Sequence, residues 1–188
     1  AEIALGNMLA DAFRERLMAS PGDNPENLPI VAIINGGGIR TSIPIGDITL
    51  GKLLEVIPFG NTMARVDVTG AQLKAALENG VSALGGTSGT GRFCQVAGLR
   101  FWFNRRGLPA RPPVAATSTT PALPAQAGTR VTRVDVFTGT DYEPLNLTAR
   151  YRIVTNGFML TGGDGYFVFT PGGDQADPSV GGGTNQLD

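Results

Sequence analysis

Apolar residues recur with helical spacing in two segments of the chain, and each segment predicts an amphipathic helix. The first helix is expected to end near the stop signals at residues 20–22, and the second to open at Thr69. A brief third helix is expected after Thr49, whose side chain can cap its first turn. The apolar positions are Leu5, Met8, Leu9, Ala12, Phe13 and Leu17 in the first helix, Leu73, Leu77, Val81 and Leu84 in the second, and Leu53 and Val56 in the third.

Strands are predicted where apolar residues run together or alternate with polar ones. The expected strands are residues 28–35, 62–68, 93–104, 130–138 and 151–155. Loops are predicted for the glycine-rich residues 85–91 and for the Pro/Ala/Thr-rich tract at 107–128, to which we assign no function. No element is expected after Pro171. Because helices and strands mix without a regular β-α-β repeat, we predict an α+β fold, with a mixed sheet flanked by helices in a single domain.

Composition narrows the possible functions. The 188 residues are 41% hydrophobic and 16% charged, which is typical of a soluble globular domain. A formal net charge of −1 offers no basic surface, so general nucleic-acid binding is not expected. No apolar run approaches the roughly 20 residues that span a bilayer, so no membrane span is expected. The charged residues before position 17 are unlike those of a signal peptide, and a chain that starts with Ala1 is expected to be a processed or excised piece.

The chain contains no histidine and a single cysteine, Cys94. Histidine is the commonest general base and a frequent metal ligand, so we assign no catalytic residue and no metal site to this chain. One cysteine cannot form an internal disulfide bond. Because its neighbours Phe93 and Val96 are apolar, we interpret Cys94 as a buried, inert thiol.

A glycine-rich segment follows the first predicted strand. The apolar residues 30–34 lead into Asn35, three glycines, Ile39 and Arg40. Glycine lets the main chain approach a ligand closely or adopt positive φ, and arginine offers a planar fork of donors to phosphate or carboxylate. One interpretation is therefore a phosphate-containing ligand at the end of a sheet, and the other is a glycine-rich turn followed by a surface arginine. The spacing matches neither the dinucleotide fingerprint nor the P-loop.

Two phenylalanines and one aspartate are further candidates. Phe59 stands between a proline and a glycine, which favours a loop, whereas Phe158 follows an apolar strand; either ring could instead belong to the core. Asp164 stands between glycines and is, by itself, typical of a turn. We interpret Trp102 as a core residue, and the arginines at 105–106 as the solvated end of a hairpin.

Several short segments stand in a fixed order along the chain. They are Leu5-Gly6-Asn7, Asn35-Gly36-Gly37-Gly38-Ile39-Arg40, Pro58-Phe59-Gly60-Asn61, Gly91-Arg92-Phe93-Cys94-Gln95-Val96-Ala97-Gly98, and Asn156-Gly157-Phe158 followed by Gly162-Gly163-Asp164-Gly165-Tyr166. Together they resemble the C-terminal domain of the 5′-nucleotidase / UDP-sugar hydrolase family. The resemblance covers nearly the whole chain, and the order of the segments makes it specific although each segment alone is weak.

The resemblance implies how the base of a nucleotide is held. Phe59 and Phe158 match the two aromatic residues that sandwich the base, so both rings are expected to be solvent-accessible on either side of a slot. Gly91 matches a glycine whose backbone approaches the base. Stacking tolerates every base, so the resemblance leaves the base preference open.

The resemblance also implies contacts to ribose and phosphate. Asn35 matches an asparagine that hydrogen-bonds the substrate near the base and ribose, and Asp164 matches the acid that binds ribose hydroxyls. Arg40 matches an arginine that pairs with the phosphate. A second phosphate-binding arginine of the family would precede Ala1, so the phosphate half of the site is expected to be incomplete in this chain.

Members of the family are two-domain enzymes. The resemblance implies that this chain is one domain of such an enzyme, which we call the parent. Residues 1–188 match the C-terminal substrate-binding domain, with a final C-terminal element possible beyond them, and an N-terminal metallophosphoesterase domain is expected to hold two divalent metal ions. That domain and a nucleoside or nucleotide are the expected partners, and this chain alone is expected to be inactive. The parent would hydrolyse a nucleoside monophosphate in the periplasm or outside the cell. The alternatives are a non-catalytic nucleotide- or sugar-binding module and a structural domain whose site has decayed.

Overall fold

The computed structural model describes residues 3–20, 22, 24, 26–86, 90–113, 115, 117, 121, 123, 125–170 and 186–187. Within these residues the helices are α1 (Ala4–Met18), α2 (Leu50–Val56), α3 (Gly70–Ser82) and α4 (Gly157–Leu160). The strands are β1 (Ile30–Asn35), β2 (Met63–Thr69), β3 (Cys94–Ala97), β4 (Leu99–Phe103), β5 (Val131–Phe137), β6 (Tyr142–Pro144), β7 (Arg150–Asn156) and β8 (Gln186–Leu187).

The strands form two sheets. The larger sheet has the order β3-β1-β7-β2-β8, in which β1 and β7 run parallel while the other neighbouring pairs run antiparallel. The smaller sheet is antiparallel and has the order β4-β5-β6. The predicted α+β fold with a mixed sheet and flanking helices is therefore confirmed.

The two faces of the larger sheet carry separate hydrophobic clusters. On one face, Ala10 and Leu17 of α1 pack against alternate residues of β1, among them Ala32. The other face belongs to a larger cluster that also contains buried residues of α3 and of the smaller sheet. Helix α3 thus lies between the two sheets, which explains why Leu73 and Leu77 are fully buried.

The helix starts follow the capping signals of the sequence. Thr69 accepts a hydrogen bond from the Gln72 N–H at 3.3 Å, and the Gln72 side chain accepts one from the Thr69 N–H at 2.7 Å. This reciprocal pair is a capping box, which satisfies two donors at the start of α3. The predicted cap of α2 is confirmed as well, because Thr49 Oγ1 accepts from the Lys52 N–H at 3.3 Å.

The prediction of one strand over residues 93–104 is wrong. Strands β3 and β4 belong to different sheets and are separated by Gly98, whose φ is 75°. A Cβ atom at Gly98 would collide with the backbone oxygen of Ile30, so the chain crosses between sheets where only glycine fits. Every residue from 99 to 103 except Arg100 is apolar, so no polar position marked the break.

The predicted apolar face of α1 is only partly correct. Met8 is 50% exposed and Ala12 is exposed, whereas Gly6 and Ala10 are buried. The helix turns its small residues toward the sheet, where Gly6 lies against the side chain of Gln95 so closely that a Cβ atom would overlap it. At the second predicted helix, Leu84 lies beyond the end of α3.

Trp102 is not a core residue. Its side chain is 44% exposed on β4, and the Arg133 guanidinium carbon lies 4.9 Å from the centre of its ring. The solvated hairpin end at residues 105–106 is confirmed, since both arginines are exposed.

The sequence did not predict the shortest helices and strands. Strands β6 and β8 and helix α4 were not predicted, and β8 pairs with β2 although no final element was expected. In the tract at 107–128, an isolated antiparallel backbone bridge joins Arg111 and Gln126. Parts of that tract, the centre of the predicted loop at 85–91 and residues 171–185 lie outside the described residues. Within the described part of the chain, no helix is both long and apolar enough to cross a membrane.

Candidate functional site

The topology of the larger sheet explains why the six candidate residues meet at one edge. Asn35 is the last residue of β1 and Asn156 the last of β7, and these strands run parallel. Cys94 pairs with Asn35, and Met63 pairs with Asn156, at the starts of antiparallel neighbours. The segments that precede Met63 and Cys94 therefore reach the same edge as the segments that follow β1 and β7. These four segments carry Phe59, Gly91, Arg40, Phe158 and Asp164.

The three glycines after Asn35 pack against the segment that holds Gly91. The Gly37 N–H donates to the Gly91 carbonyl at 2.7 Å, and the Gly36 N–H donates to the Phe93 carbonyl at 2.8 Å. A Cβ atom at Gly37 would lie 3.1 Å from the Gly91 Cα. None of these three glycines has positive φ. Gly36 and Gly37 are required by the close approach of two backbones, whereas a Cβ atom at Gly38 would make only an ordinary contact with the Asn35 side chain.

Arg40 lies exposed at the end of this turn. Its N–H donates to the Val56 carbonyl at 2.9 Å, which ties it to the last residue of α2. Its guanidinium donates to the Gly37 carbonyl at 3.2 Å and lies 5.7 Å from the centre of the Phe59 ring. No carboxylate among the described residues pairs with Arg40, which leaves most of its donors available to an anion.

Both candidate aromatic rings are on the surface. Phe59 is 59% exposed in the loop after α2, and Phe158 is 43% exposed in α4, so neither belongs to the core. The Phe158 ring lies against Gly163 and fills the space that any side chain at that position would need. The expected exposure of both rings is confirmed, while the slot between them stays a prediction.

Asp164 is held in an uncommon backbone conformation. Its φ of 54° and ψ of 18° lie in the left-handed region, inside the turn of residues 163–165. One carboxylate oxygen, Oδ2, accepts a hydrogen bond from the Asn35 side chain at 2.7 Å. The Asp164 main-chain carbonyl accepts another from the Asn79 side chain at 3.1 Å.

Contacts join the six candidates into two groups, which the backbone turn after Asn35 connects. In the first group, the Phe59 ring contacts Arg40, whose side chain binds the Gly37 carbonyl, and the Gly37 N–H binds Gly91. In the second group, Asn35 binds Asp164, and the neighbouring Gly163 lies against the Phe158 ring. Sequence reasoning missed Asn156 and Asn79, which bind Asn35 and Asp164. The signal that identifies Asn156 is its helix cap, since an asparagine that precedes a Gly-Phe pair can cap a helix start. No local signal identifies Asn79, because its partner lies 85 residues away.

Two titratable groups lie behind the site and are poor nucleophiles or bases. Burial raises the pKa of the Cys94 thiol to about 11. Burial likewise raises the pKa of Tyr166 well above its usual range, and its hydroxyl donates to the Arg92 carbonyl at 2.7 Å. Both groups are therefore protonated near neutral pH, which agrees with the interpretation of Cys94 as an inert thiol.

The residues of this edge do not fit a metal centre. Within the described ranges, no three histidine, cysteine, aspartate or glutamate side chains come together as metal ligands. Asp164, the one carboxylate of the site, already accepts a hydrogen bond. The arrangement offers stacking surfaces, a cation and hydrogen-bonding groups, which suits binding and orientation of a ligand rather than a chemical step.

Comparison with known families and structures gives the same picture. The family described as 5′-nucleotidase, C-terminal domain, matches residues 1–171. The crystal structure of a 5′-nucleotidase precursor from Thermus thermophilus aligns with a TM-score of 0.72 and 39% identity, covering 98% of this chain and 30% of that one. A Haemophilus influenzae NAD nucleotidase aligns with a TM-score of 0.63 and 27% identity, covering 93% of this chain and 27% of that one.

Sequence relatives include longer proteins with related names. A trifunctional nucleotide phosphoesterase protein, YfkN, from Bacillus subtilis (strain 168) is 39% identical over 170 residues, which are 90% of this chain and 10% of that protein. A snake venom 5′-nucleotidase from Macrovipera lebetinus is 32% identical over 188 residues, with 96% of this chain and 41% of that protein covered. The chain thus spans less than half the length of these relatives.

Proposed function

Because this chain belongs to the family of 5′-nucleotidase C-terminal domains, we propose that it is the substrate-binding domain of a hydrolase that converts a nucleoside monophosphate and water into a nucleoside and phosphate. The observation that carries the proposal is the pair of exposed rings, Phe59 and Phe158, at the sheet edge where Asn35 and Asp164 meet. Exposed aromatic rings beside satisfied polar groups suit a flat, polar-edged ligand such as a nucleoside.

Each part of the nucleotide has a matching group in the proposal. The base stacks between Phe59 and Phe158, where each base–ring contact contributes roughly 1–3 kcal/mol, and the backbone at Gly91 lies along its edge. Asp164 accepts hydrogen bonds from the ribose hydroxyls, with Asn35 beside it. Arg40 donates to the phosphate as a planar fork. These contacts orient the substrate, and orientation alone lowers the barrier of a bond-breaking step carried out by other groups.

The chemical step is assigned to another part of the same polypeptide. Cys94 and Tyr166 are protonated, and the described residues contain no metal-binding cluster. We assign the two divalent metal ions to an N-terminal metallophosphoesterase domain, where they would activate the attacking water. The resemblance to the family implies a periplasmic or extracellular location, and the venom relative supports the extracellular one.

An apolar surface beside Arg40 supports the docking of such a domain. Because the Arg40 N–H binds the carbonyl of Val56, this surface adjoins the proposed phosphate site. Large exposed apolar patches on soluble domains commonly mark interaction sites, which supports a partner domain at these residues. The side chains, each at least 39% exposed, are Ile45, Ile48, Leu50, Leu53, Leu54, Ile57 and Phe59.

Calorimetry with adenosine tests the base clamp. Phe59→Ala and Phe158→Ala should each weaken adenosine binding by roughly fivefold to a hundredfold, because each removes one stacking surface. Trp102→Ala is the matched control, since Trp102 is a similarly exposed aromatic residue of the smaller sheet, and it should bind adenosine as the unsubstituted chain does. Unchanged affinity in both phenylalanine variants would contradict the clamp.

A phosphate-release assay tests the separation of binding from chemistry. The purified chain should not hydrolyse AMP with any divalent metal, because it supplies no metal-binding cluster in its described part. Turnover that a chelator abolishes would overturn the assignment of the reaction to another domain. An Asp-x-His segment upstream in the full reading frame would identify that domain, whereas its absence would favour a non-catalytic binding module.

A further inference from the structure

The side chains of Asn156, Asn35 and Asp164 form one continuous chain of hydrogen bonds, in which only Asn35 is distant in sequence from the other two. Asn156 Oδ1 accepts from the Met159 N–H at 2.9 Å, and Asn156 Nδ2 donates to Asn35 Oδ1 at 3.0 Å. Asn35 Nδ2 then donates to Asp164 Oδ2 at 2.7 Å. Asn35 is 5% exposed and Asn156 is 7% exposed, so water has little access to either amide.

Both ends of this chain impose the same direction on it. A backbone N–H can only donate, so the Met159 N–H requires the oxygen of Asn156 and turns the Asn156 NH₂ toward Asn35. A carboxylate can only accept, so Asp164 requires the NH₂ of Asn35 and turns the Asn35 oxygen toward Asn156. Turning over either buried amide would bring like groups together in two contacts, and buried unpaired polar groups are costly.

The same contacts leave one oxygen of Asp164 for a ligand. Asn79 holds the Asp164 main chain, and Asn35 holds Oδ2, while Oδ1 accepts no hydrogen bond from the described residues. Asn156 also caps α4, which contains Phe158. One buried amide therefore connects the element that carries an aromatic ring with the carboxylate of the site.

We infer that Asn156 is a positioning residue for the sugar part of the ligand. Its amide fixes the direction of the Asn35 amide, which holds Oδ2 of Asp164 and directs Oδ1 toward the ribose hydroxyls. The inference rests on the proposed function, since it takes Asp164 as the ribose ligand. The oxygen of Asn156 supports the ring of Phe158 by capping α4, whereas its NH₂ group binds Asn35. The NH₂ group therefore controls preference for the sugar separately from affinity for the base.

Asn156→Asp tests this role. The substitution keeps the shape of the side chain and the oxygen that caps α4, but it cannot donate to Asn35. Calorimetry should compare adenosine with 2′,3′-dideoxyadenosine, which lacks both hydroxyls. The unsubstituted chain should prefer adenosine by about tenfold or more, the worth of one hydrogen bond to a charged group. The variant should lose most of that preference while its affinity for the dideoxynucleoside stays within about twofold.

The outcomes separate this inference from the proposed function. If the unsubstituted chain prefers adenosine and the variant keeps that preference, the role of Asn156 is wrong and the proposed function stands. If the unsubstituted chain binds neither nucleoside, the proposed function fails and the ribose role fails with it.

Asn104→Asp is the matched control, because Asn104 is exposed and uses only its oxygen, which accepts from the Arg106 N–H at 3.0 Å. It should keep the sugar preference.

A second variant tests the direction of the hydrogen bonds without any ligand. Adding Asp164→Asn to Asn156→Asp reverses every donor and acceptor from position 156 to position 164, so the chain of bonds can form again in the opposite sense. The urea midpoint of the double variant should therefore lie above that of Asn156→Asp alone. Losses that simply add would contradict coupling through Asn35.

Discussion

Asp164 shows how long-range contacts place a single candidate side chain. A non-glycine residue in the left-handed region costs roughly 1–2 kcal/mol, and Asp164 adopts that region with a φ of 54°. The hydrogen bonds from Asn35 and Asn79 hold it there. Such a conformation at a site is typical of functional residues. The sequence alone predicts only a turn at Asp164. Its contact with Asn35 leaves no local pattern, because the two residues are 129 positions apart.

Cys94 gives the stability of the protein a specific dependence on alkaline pH. Burial raises the pKa of its thiol to about 11 in the folded state, whereas an unfolded cysteine titrates near 8.5. The folded state thus binds a proton that the unfolded state releases, so the free energy of unfolding should fall as pH rises through this interval. Below about pH 8 the contribution is fully present.

The measurement for Cys94 is urea unfolding at pH 7 and pH 10. Tyr166 is buried and has a raised pKa too, so the contribution of Cys94 is read as a difference from Cys94→Ala. That variant should lose less stability between the two pH values than the unsubstituted chain. An equal loss in both proteins would mean that the thiol titrates normally in the folded state.

At the scale of elements, periodic patterns were sufficient for the long helices and for β2. Helix α3 and strand β2 each extend over enough residues to show their period, and the burial of β2 alternates as predicted. Helix α4 and strand β6 have four and three residues, which are too few for a pattern. The chain breaks between β3 and β4 because β4 pairs with β5 in the smaller sheet. This pairing joins segments that are far apart in sequence, so a run of apolar residues does not reveal it.

The break at Gly98 is expected to be essential for stability. Gly98→Ala should lower the free energy of unfolding by roughly 2–5 kcal/mol, since a strained backbone adds to a clash that the packed Ile30 carbonyl cannot relieve. Gly60→Ala is the control, because Gly60 also has positive φ, at 60°, but nothing lies within 4 Å of the added atom. It should cost only about 1–2 kcal/mol. Equal losses in urea unfolding would contradict the role of the close approach at Gly98.

At the scale of the whole molecule, the order of the motifs follows from the topology. The motifs with Asn35 and Asn156 mark the ends of parallel strands, and those with Phe59 and Gly91 precede the strands that pair antiparallel with them. Motifs far apart in sequence therefore meet at one edge of one sheet. The resemblance to a family predicted that these residues belong to one site. The hydrophobic pattern alone could not predict it, because that pattern does not give the order of the strands in the sheet.

The site also predicts how the isolated chain divides its affinity between nucleoside and phosphate. The rings, Asn35 and Asp164 lie within one domain, so adenosine should bind weakly but measurably. Arg40 is the one cation among the six candidates and it is exposed; such an ion pair contributes about 0–1 kcal/mol. AMP should therefore bind at most about fivefold more tightly than adenosine, and Arg40→Ala should remove that difference while leaving adenosine unaffected. Calorimetry with adenosine and AMP measures this difference in affinity.

A hundredfold preference for AMP, about 2.7 kcal/mol, would mean that this chain carries a complete phosphate site. An equal loss of both ligands in Arg40→Ala would instead mean that Arg40 supports the Phe59 ring, which its guanidinium already contacts.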